Sequence, residues 1–362
     1  MFPERDAATW LTGRPEAALY DLSPAALLDG ADPEPAARPD PVTDLPEAPA
    51  GVSVETLLAT EYGVHPEQVV LTAGADAARF VAFAAALELS EGPALVESPA
   101  NEALIRTPEA LGRSVERFER PAPNYGAEPD LDSPAVVALS NRHDPSGRLL
   151  AREALSELAG RAADAGGRLL VDESVAPLTP DPEDEAALGG VTAAGLDGAV
   201  VTGSLERVPG LAGQEVGWVV GDPAVTETAR RVQRYVGAVP GTSRVYARRA
   251  LYRTDGLVER AREICRENSA TLAAGLAARP DTTCRVFEDA PVALLSVEGT
   301  DGDALAGAAW DAGVLVVPGK FFGEPGMVRI GLGRSPERVR AGLDALGGVL
   351  DDLRAARERT NP

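Results

Sequence analysis

Short apolar runs alternate along most of the chain with segments whose apolar residues recur at helical spacing. The runs predict buried strands and the spaced segments predict helices. Predicted strands lie at 68–72, 94–97, 135–139, 167–171, 198–201, 216–220, 285–288, 293–297 and 314–317. Predicted helices lie at 52–62, 77–89, 152–165, 223–235, 245–276, 303–311 and 336–353. This alternation is typical of an α/β protein.

Composition changes this picture at the N-terminus and at the surface. Residues 1–50 are rich in proline, aspartate and alanine, which predicts an extended arm rather than a domain. A chain of 362 residues usually divides into two domains, so the remaining elements are expected to form two units. The net charge of −22 argues against nucleic acid and anionic membranes as partners.

The basic residues are almost all arginine. Lys320 is the one lysine among 34 basic residues, and acidic residues are spread along the chain. This composition is typical of halophile proteins, in which a carboxylate surface stays hydrated in salt. The sequence contains no run of about 18 apolar residues, and its start, MFPERDAATW, does not resemble a signal peptide. A cytoplasmic protein is therefore expected.

Cysteine and histidine are too few for a metal site. Cys265 and Cys284 are the only cysteines, and His65 and His143 are the only histidines. Their spacing matches no zinc motif, and buried thiols are expected rather than a disulfide.

A predicted strand, a glycine turn and a helix start follow one another after residue 68. The turn is Gly74-Ala75-Asp76. Free N–H groups and the positive end of a helix dipole face the same way at such a junction, so it can bind an anion. An ordinary strand–helix turn has the same pattern, and a glycine turn alone does not decide between the two.

Polar residues also follow other predicted strands. Asn101 follows the strand at 94–97, and Asp144 lies in the segment NRHDPSGR after the strand at 135–139. The strand at 167–171 runs into Asp172-Glu173-Ser174-Val175. An apolar run that ends in Asp-Glu also resembles a Walker B strand, but GxxxxGK[ST] occurs nowhere in the sequence, so an ATPase is rejected.

Three segments are the most specific. They are LVDES at 170–174, GLAGQEVGW at 210–218 and PGKFFGEPGMVRIGLG at 318–333. Together with the segments above, they resemble the class I/II aminotransferases, which are pyridoxal-phosphate enzymes of fold type I, and most closely the histidinol-phosphate aminotransferases. The resemblance covers roughly residues 50–360 in the family's order.

This resemblance implies the aspartate-aminotransferase-like fold. A large domain at 51–240 would hold a mostly parallel sheet flanked by helices, and the cofactor site. An interdomain helix and a smaller α/β domain would occupy 241–362. Pyridoxal 5′-phosphate is the implied cofactor and a small amino acid or carboxylate the implied ligand. The implied assembly is a homodimer, and pairing with an active paralogue is an alternative.

The resemblance also implies roles for individual residues. The turn at Gly74, Ala75 and Asp76 matches the family's phosphate-binding turn. Asp172 matches the aspartate that pairs with the pyridinium nitrogen. Ser204 is retained in the lysine loop, and Arg329 matches the arginine that grips the substrate's α-carboxylate. An arginine on the surface of an edge strand is the alternative for Arg329.

Other positions depart from the family's residues. Arg207 stands at the position of the Schiff-base lysine, Glu215 at that of the phosphate-binding arginine, and Asn101 at that of an aromatic residue. Asp144 and Val175 replace the asparagine and tyrosine that hydrogen-bond the phenolic oxygen. A guanidinium does not form the Schiff base, because its pKa exceeds about 12.

These substitutions put transamination in doubt. Arg207 is expected to pair with Asp144, Asp172 or both, so that an arginine–aspartate network fills the cofactor cavity. Lys320 is an alternative Schiff-base donor, a contact to an anionic substrate or, as we favour, a surface lysine.

Three functions therefore remain open. The first is an aminotransferase that moves an amino group between an amino acid and a 2-oxo acid. The second is a non-catalytic relative that binds a carboxylate or phosphate metabolite or a partner protein. The third is a pyridoxal-phosphate-dependent decarboxylase of a phosphorylated amino acid.

Overall fold

The computed structural model describes residues 3–24, 46–175, 190–206, 208, 211, 213–252 and 254–360. In chain order the helices are α1 Asp6–Leu11, α2 Arg14–Ala17, α3 Val54–Tyr62, α4 Gly74–Leu89, α5 Glu102–Ala110, α6 Arg152–Asp164, α7 Pro223–Gln233, α8 Gly241–Tyr252, α9 Thr254–Leu276, α10 Gly302–Asp311 and α11 Pro336–Thr360. The strands are β1 Tyr20–Asp21, β2 Val69–Ala73, β3 Ala94–Ser98, β4 Val115–Glu119, β5 Val136–Ser140, β6 Arg168–Asp172, β7 Ala199–Ser204, β8 Val216–Val220, β9 Thr282–Cys284, β10 Val292–Val297, β11 Val314–Leu315, β12 Val317–Pro318 and β13 Val328–Gly331.

The central sheet has seven strands in the order β2-β8-β7-β6-β5-β3-β4. Only β8 runs antiparallel to its neighbours, β7 and β2, and the other pairs are parallel. The predicted α/β fold with a mostly parallel sheet is therefore confirmed. In the register of this sheet Asp172 lies beside Ser140 on one side and Thr202 on the other. The polar ends of β5, β6 and β7 thus share one edge of the sheet.

Apolar side chains cover both faces of the central sheet. Neighbouring residues of a strand point to opposite faces, so Leu169 of β6 packs in the cluster that contains α3 and α6, and Leu170 packs in the cluster that contains α4. Burial on both faces explains why these strands are continuous apolar runs in the sequence.

A second, antiparallel sheet has the order β12-β13-β10-β9. Its register places Arg329 of β13 between Leu294 of β10 and Val317 of β12. The apolar cluster beneath it includes Leu22 from the N-terminal segment. The same segment forms β1, which pairs in parallel with β11.

Residues 3–24 contain helices as well as β1. The carboxylate of Glu102 accepts hydrogen bonds from the backbone N–H groups of Asp6 at 2.6 Å and Ala7 at 3.0 Å. These are groups that the first turn of α1 would otherwise leave unpaired. The predicted extended conformation therefore does not hold over α1 and α2, and residues 25–45 lie outside the described residues. The predicted domain boundary at residue 240 stays a prediction.

Other elements differ from prediction in position. The strand predicted at 285–288 is wrong, because the ladder with β10 ends at Cys284. Phe287 instead lies under the guanidinium groups of Arg285 and Arg148, at 4.9 and 5.6 Å from its ring centre. The helix predicted at 245–276 is described as α8 and α9, with residue 253 outside the described residues. The pattern missed α5, which begins where Asn101 accepts a hydrogen bond from the N–H of Ala103, and β4. In the part of the chain that the structure describes, no helix is both long and apolar enough to cross a membrane.

Candidate functional site

The candidate site lies at the carboxyl edge of the central sheet. There, β6 ends at Asp172, β7 ends at Ser204, and α4 begins at Gly74 directly after β2. β2 pairs with β8 in a register that puts Ala73 opposite Val216. The glycine turn before α4 therefore lies against the loop that joins β7 to β8.

The N-terminus of α4 is occupied by a side chain of that loop. The N–H of Ala75 donates a hydrogen bond of 3.0 Å to Oε1 of Glu206. Gly74 has a φ of 82°, and a Cβ added to it would lie 2.3 Å from the same oxygen. The N–H of Glu206 donates to Oγ of Ser204 at 3.0 Å, which fixes the start of the loop. The predicted anion-binding turn thus holds an anion that belongs to the chain.

Arg79 lies further along α4 and connects this turn to Asp172. Its Nε is 3.4 Å from Oδ2 of Asp172, and its Nη1 is 3.3 Å from Oδ1 of Asp76. The side chain of Arg79 is 5% exposed. Burial opposes its charge, but the carboxylates of Asp172, Asp76 and Glu206 outweigh burial and raise the pKa of the guanidinium above its ordinary value. Arg79 is therefore a permanent buried cation.

Asp172 has further partners at the end of β6. It accepts hydrogen bonds from the N–H of Ser174 at 3.1 Å and the hydroxyl of Thr202 at 3.2 Å. The Asp172 side chain is 8% exposed. The predicted pairing of Asp172 with a pyridinium nitrogen stays a prediction, and the group that faces Asp172 here is an arginine of the same chain.

A second buried ion pair joins the two sheets. Nη1 of Arg329 lies 2.8 Å from Oδ1 and 3.1 Å from Oδ2 of Asp144. Nδ2 of Asn101 donates to Oδ2 of Asp144 at 3.0 Å. Nη2 of Arg329 donates to the carbonyl oxygen of Ser23 at 2.6 Å, and its guanidinium lies 4.9 Å from the ring centre of Phe322. Both terminal nitrogens of Arg329 therefore bind groups of the chain itself.

Other candidate residues lie away from these two ion pairs. Val175 packs in an apolar cluster with Ala261, Ile264 and Cys265. Glu215 is exposed, with a φ of 45°. Lys320 is 45% exposed and its Nζ lies 2.8 Å from Oδ2 of Asp303, which agrees with the surface lysine that the sequence favours. Arg207 lies outside the described residues.

A buried polar network that includes Glu97 and Ser140 lies beside the site. Glu97 pairs with Arg120 at 2.5 Å and accepts hydrogen bonds of 2.7 Å from the N–H and the hydroxyl of Ser140. Burial raises the pKa of Glu97 despite these partners. Burial also holds the pKa of His143 well below its usual range. His143 contacts Ser146 at 2.5 Å on one ring nitrogen and the carbonyl oxygen of Pro99 at 2.9 Å on the other.

Among the described residues, Asp144 is paired with Arg329 and Asp172 with Arg79, two partners that the sequence did not predict. The predicted pairing of Arg207 with these aspartates stays a prediction, because Arg207 lies outside the described residues. Arg79 had a signal in the sequence, because it is the one basic residue in the mostly apolar helix GADAARFVAFAAALEL. Glu206 had a weaker signal, its place two residues after Ser204.

The described residues do not fit pyridoxal phosphate. Oε1 of Glu206 lies on the N–H of Ala75 that the cofactor's phosphate would need. Nε of Arg79 lies 3.4 Å from Oδ2 of Asp172, the carboxylate that the resemblance assigns to the pyridinium nitrogen. The carboxylate of Asp144 would repel a phenolate, and Val175 offers no hydrogen-bond donor. A phosphate at the turn would thus meet the carboxylate of Glu206, which repels it.

Comparison with known proteins agrees with the fold. A family model for "Aminotransferase class I and II" matches residues 22–346. The aspartate aminotransferase of Streptomyces avermitilis is 25% identical over 88% of this chain and 82% of its own length. A histidinol-phosphate aminotransferase from Haloferax volcanii is 26% identical over 83% of this chain and 80% of its own. The structure of Thermus thermophilus aspartate aminotransferase with maleate superimposes with a TM-score of 0.77, at 23% identity, over 97% of both chains. The predicted aspartate-aminotransferase-like fold is confirmed.

Proposed function

Because the chain belongs to the class I and II aminotransferases, we propose that it is a non-catalytic member of this family, which holds no pyridoxal phosphate and works through association with another chain. The observation that carries the proposal is the pairing of Asp144 and Asp172 with Arg329 and Arg79, at 2.8 and 3.4 Å. In the family, the matching groups face the cofactor and the substrate. In this chain they neutralise one another.

Substrate binding would require one of these pairs to open. A substrate carboxylate that bound Arg329 would have to displace Asp144, whose side chain is 4% exposed. A buried aspartate that loses its counter-ion costs several kcal/mol, even though Asp144 keeps the hydrogen bond from Asn101. The contact of Nη2 with the carbonyl oxygen of Ser23 would be lost as well. The pair therefore competes with a carboxylate ligand and favours a structural role for Arg329.

Catalysis by this family needs an amine at the site. Lys320, the one lysine of the chain, is engaged with Asp303 and is 45% exposed. Arg207 at the lysine position does not lose its proton at any ordinary pH. Transamination and decarboxylation of a phosphorylated amino acid need the same amine, so these chemical details argue against both alternatives.

Members of the family are typically dimeric, and we propose that this chain pairs with a second copy or with an active relative. Support comes from Tyr235, which lies between α7 and α8 and is 92% exposed, and from Val245 of α8, which is 49% exposed. Large apolar side chains this exposed are typical of surfaces that another protein covers. The homodimer is the simpler of the two assemblies.

The proposal is tested by adding pyridoxal phosphate to the purified protein in molar salt. We expect no visible absorbance band of a Schiff base, no retained cofactor and no exchange between amino acids and 2-oxo acids. An active aminotransferase of the family serves as the positive control. Borohydride reduction followed by peptide mass analysis shows where any Schiff base forms. A cofactor trapped on Lys320 would overturn the proposal.

The variant Arg207→Lys separates two explanations of inactivity. It restores an amine at the family's lysine position and leaves Glu206, Arg79 and Asp144 in place. If the site rejects the cofactor, as we propose, the variant also stays colourless. A Schiff base on residue 207 of the variant would mean that the site accepts the cofactor and lacks only the amine.

A further inference from the structure

We infer that Glu206 is a built-in occupant of an anion site, and that its carboxylate takes the place of a phosphate group at the N-terminus of α4. This inference rests on the proposed function, because it explains why a site that resembles a phosphate-binding turn would hold no phosphate. The side chain of Glu206 alone would then keep phosphate out of the turn. The ligand class is a phosphate or phosphate monoester, which the exposed N–H groups of such a turn are suited to bind.

The contact differs from an ordinary helix cap. The usual cap is a side chain of the residue that precedes the helix, and Ala73, which precedes α4, provides none. The acceptor is instead Glu206, 131 residues away in the chain. It reaches the first turn of a helix of 16 residues, where unpaired N–H groups and the helix dipole favour an anion.

The oxygen fills the turn as well as pairing with it. A methyl group in place of the Gly74 hydrogen would lie 2.3 Å from Oε1 of Glu206, which is inside van der Waals contact. Gly74 and Glu206 therefore fit each other closely, and no phosphate oxygen fits between them. Ser204 binds the N–H of Glu206 at 3.0 Å, so the backbone from which this side chain extends is fixed.

A buried cation beside the turn points to an anion independently of the helix. Arg79 is 5% exposed and feels the charges of Asp172, Asp76, Glu206 and Asp144. Glu206 supplies part of the negative charge that such a buried guanidinium needs. A phosphate in its place would meet the same cation and the same N–H groups. The turn and Arg79 thus form an anion site, of which Glu206 is the resident anion.

The experiment measures the binding of inorganic phosphate to the full chain by isothermal titration calorimetry. Glu206→Ala empties the turn, and we expect its phosphate affinity to exceed that of the wild type at least about tenfold, because a helix N-terminus contributes free energy of this order to anion binding. Glu206→Gln removes the charge but leaves an amide oxygen on the N–H of Ala75. It is expected to exclude phosphate as the wild type does.

Glu215→Ala is the matched control for charge. It also replaces glutamate by alanine in the loop between β7 and β8, and its Cα lies 3.7 Å from the position of a Cβ on Gly74. Its side chain is exposed rather than seated in the turn. We expect no gain in phosphate affinity. A gain equal to that of Glu206→Ala in either Glu215→Ala or Glu206→Gln would overturn the inference, since removal of charge alone would then suffice.

The wild type gives a second test that needs no variant. Phosphate at millimolar concentration should leave the amide NMR signals of Gly74 and Ala75 unchanged, and a saturable shift of both signals would overturn the inference. Different results would refute the proposed function and the role of Glu206. Pyridoxal phosphate bound by the wild type would refute the proposed function. Absence of phosphate binding in Glu206→Ala, with no cofactor bound by the wild type, would refute only the role of Glu206.

Discussion

Removal of Asp144 tests how much the ion pair between Asp144 and Arg329 contributes to the stability of the fold. In Asp144→Ala the guanidinium loses its contacts of 2.8 and 3.1 Å, while Nη2 keeps the carbonyl oxygen of Ser23. Arg329 is 7% exposed, so water does not replace the lost carboxylate freely. The variant therefore leaves a buried cation without its counter-ion.

The expected loss of stability is large for one substitution. Breaking a buried ion pair by removing one partner costs about 3–5 kcal/mol. The entropy of unfolding scales with length and is roughly 0.8 kcal/mol per kelvin for a single transition of 362 residues. A loss of about 4 kcal/mol then lowers the melting temperature by about 5 °C. Asp144→Asn should lose less, since its side-chain oxygen can still accept a hydrogen bond from Arg329.

The assay is urea denaturation at neutral pH in constant salt, with Lys320→Met as the matched control. The ion pair of Lys320 with Asp303 is as short, at 2.8 Å, but its partners are 45% and 57% exposed. Loss of an exposed pair is worth less than about 1 kcal/mol. Asp144→Ala/Arg329→Met removes both charges of the buried pair, so it should cost clearly less than the sum of the single variants.

Acetate adds a test of function to this test of stability. An unpaired Arg329 should bind a small carboxylate, and acetate at about nine times its dissociation constant would return roughly 1.4 kcal/mol to Asp144→Ala. The wild type, whose Arg329 is already paired, should not respond. Equal small losses in Asp144→Ala and Lys320→Met, with no effect of acetate, would refute the view that the Asp144–Arg329 pair closes the carboxylate site.

Two further predictions concern pH and assembly. Burial raises the pKa of Glu173 to about 8, from an ordinary value of 4.5. The contribution of Glu173 to stability is therefore complete below pH 4.5 and is lost as the pH rises through 8. The free energy of unfolding of Glu173→Gln should therefore rise relative to that of the wild type by roughly 1 kcal/mol per pH unit between pH 6 and 8. A difference that does not change with pH in urea denaturation would contradict this. Tyr235→Asp puts a charge on the proposed interface and should weaken self-association at least about tenfold, as measured by sedimentation velocity. The control Leu19→Asp changes a residue that is 78% exposed elsewhere on the surface, and it should leave self-association unchanged.

Six of the seven strands of the central sheet could be predicted, because burial on two faces leaves a simple pattern in the sequence; β4, an edge strand that is mostly exposed, was missed. β8 was predicted with its observed bounds, Val216–Val220, and Asp172 was placed correctly at the end of β6. The shorter elements of the second sheet were harder to predict. β9 is three residues long and pairs on one side only, with β10, so its ends depend on a partner strand rather than on a local apolar run.

The partners of the site residues could not be predicted for a different reason. Arg329 and Asp144 are 185 residues apart, and Glu206 and Ala75 are 131 apart. No periodicity records contacts of this kind, because they depend on how the strands and helices are arranged in space. Family resemblance identified the positions Asp144 and Asp172 and suggested Arg207 as their partner, which lies outside the described residues. It gave no sign of the two arginines that the structure places beside them, on α4 and β13.

If the chain is non-catalytic, as we propose, no single substitution at the site is expected to give catalysis. A lysine at 207 would restore the amine but would leave Glu206 on the N–H of Ala75. Removal of Glu206 would free that N–H but would take one carboxylate away from Arg79, which then keeps Asp172 all the more closely. Replacement of Asp144 would strip Arg329 of its counter-ion at a cost of about 3–5 kcal/mol. Each single substitution thus leaves either a buried charge without its counter-ion or a side chain of the chain where the cofactor would bind. Several of the buried charges therefore have to change together.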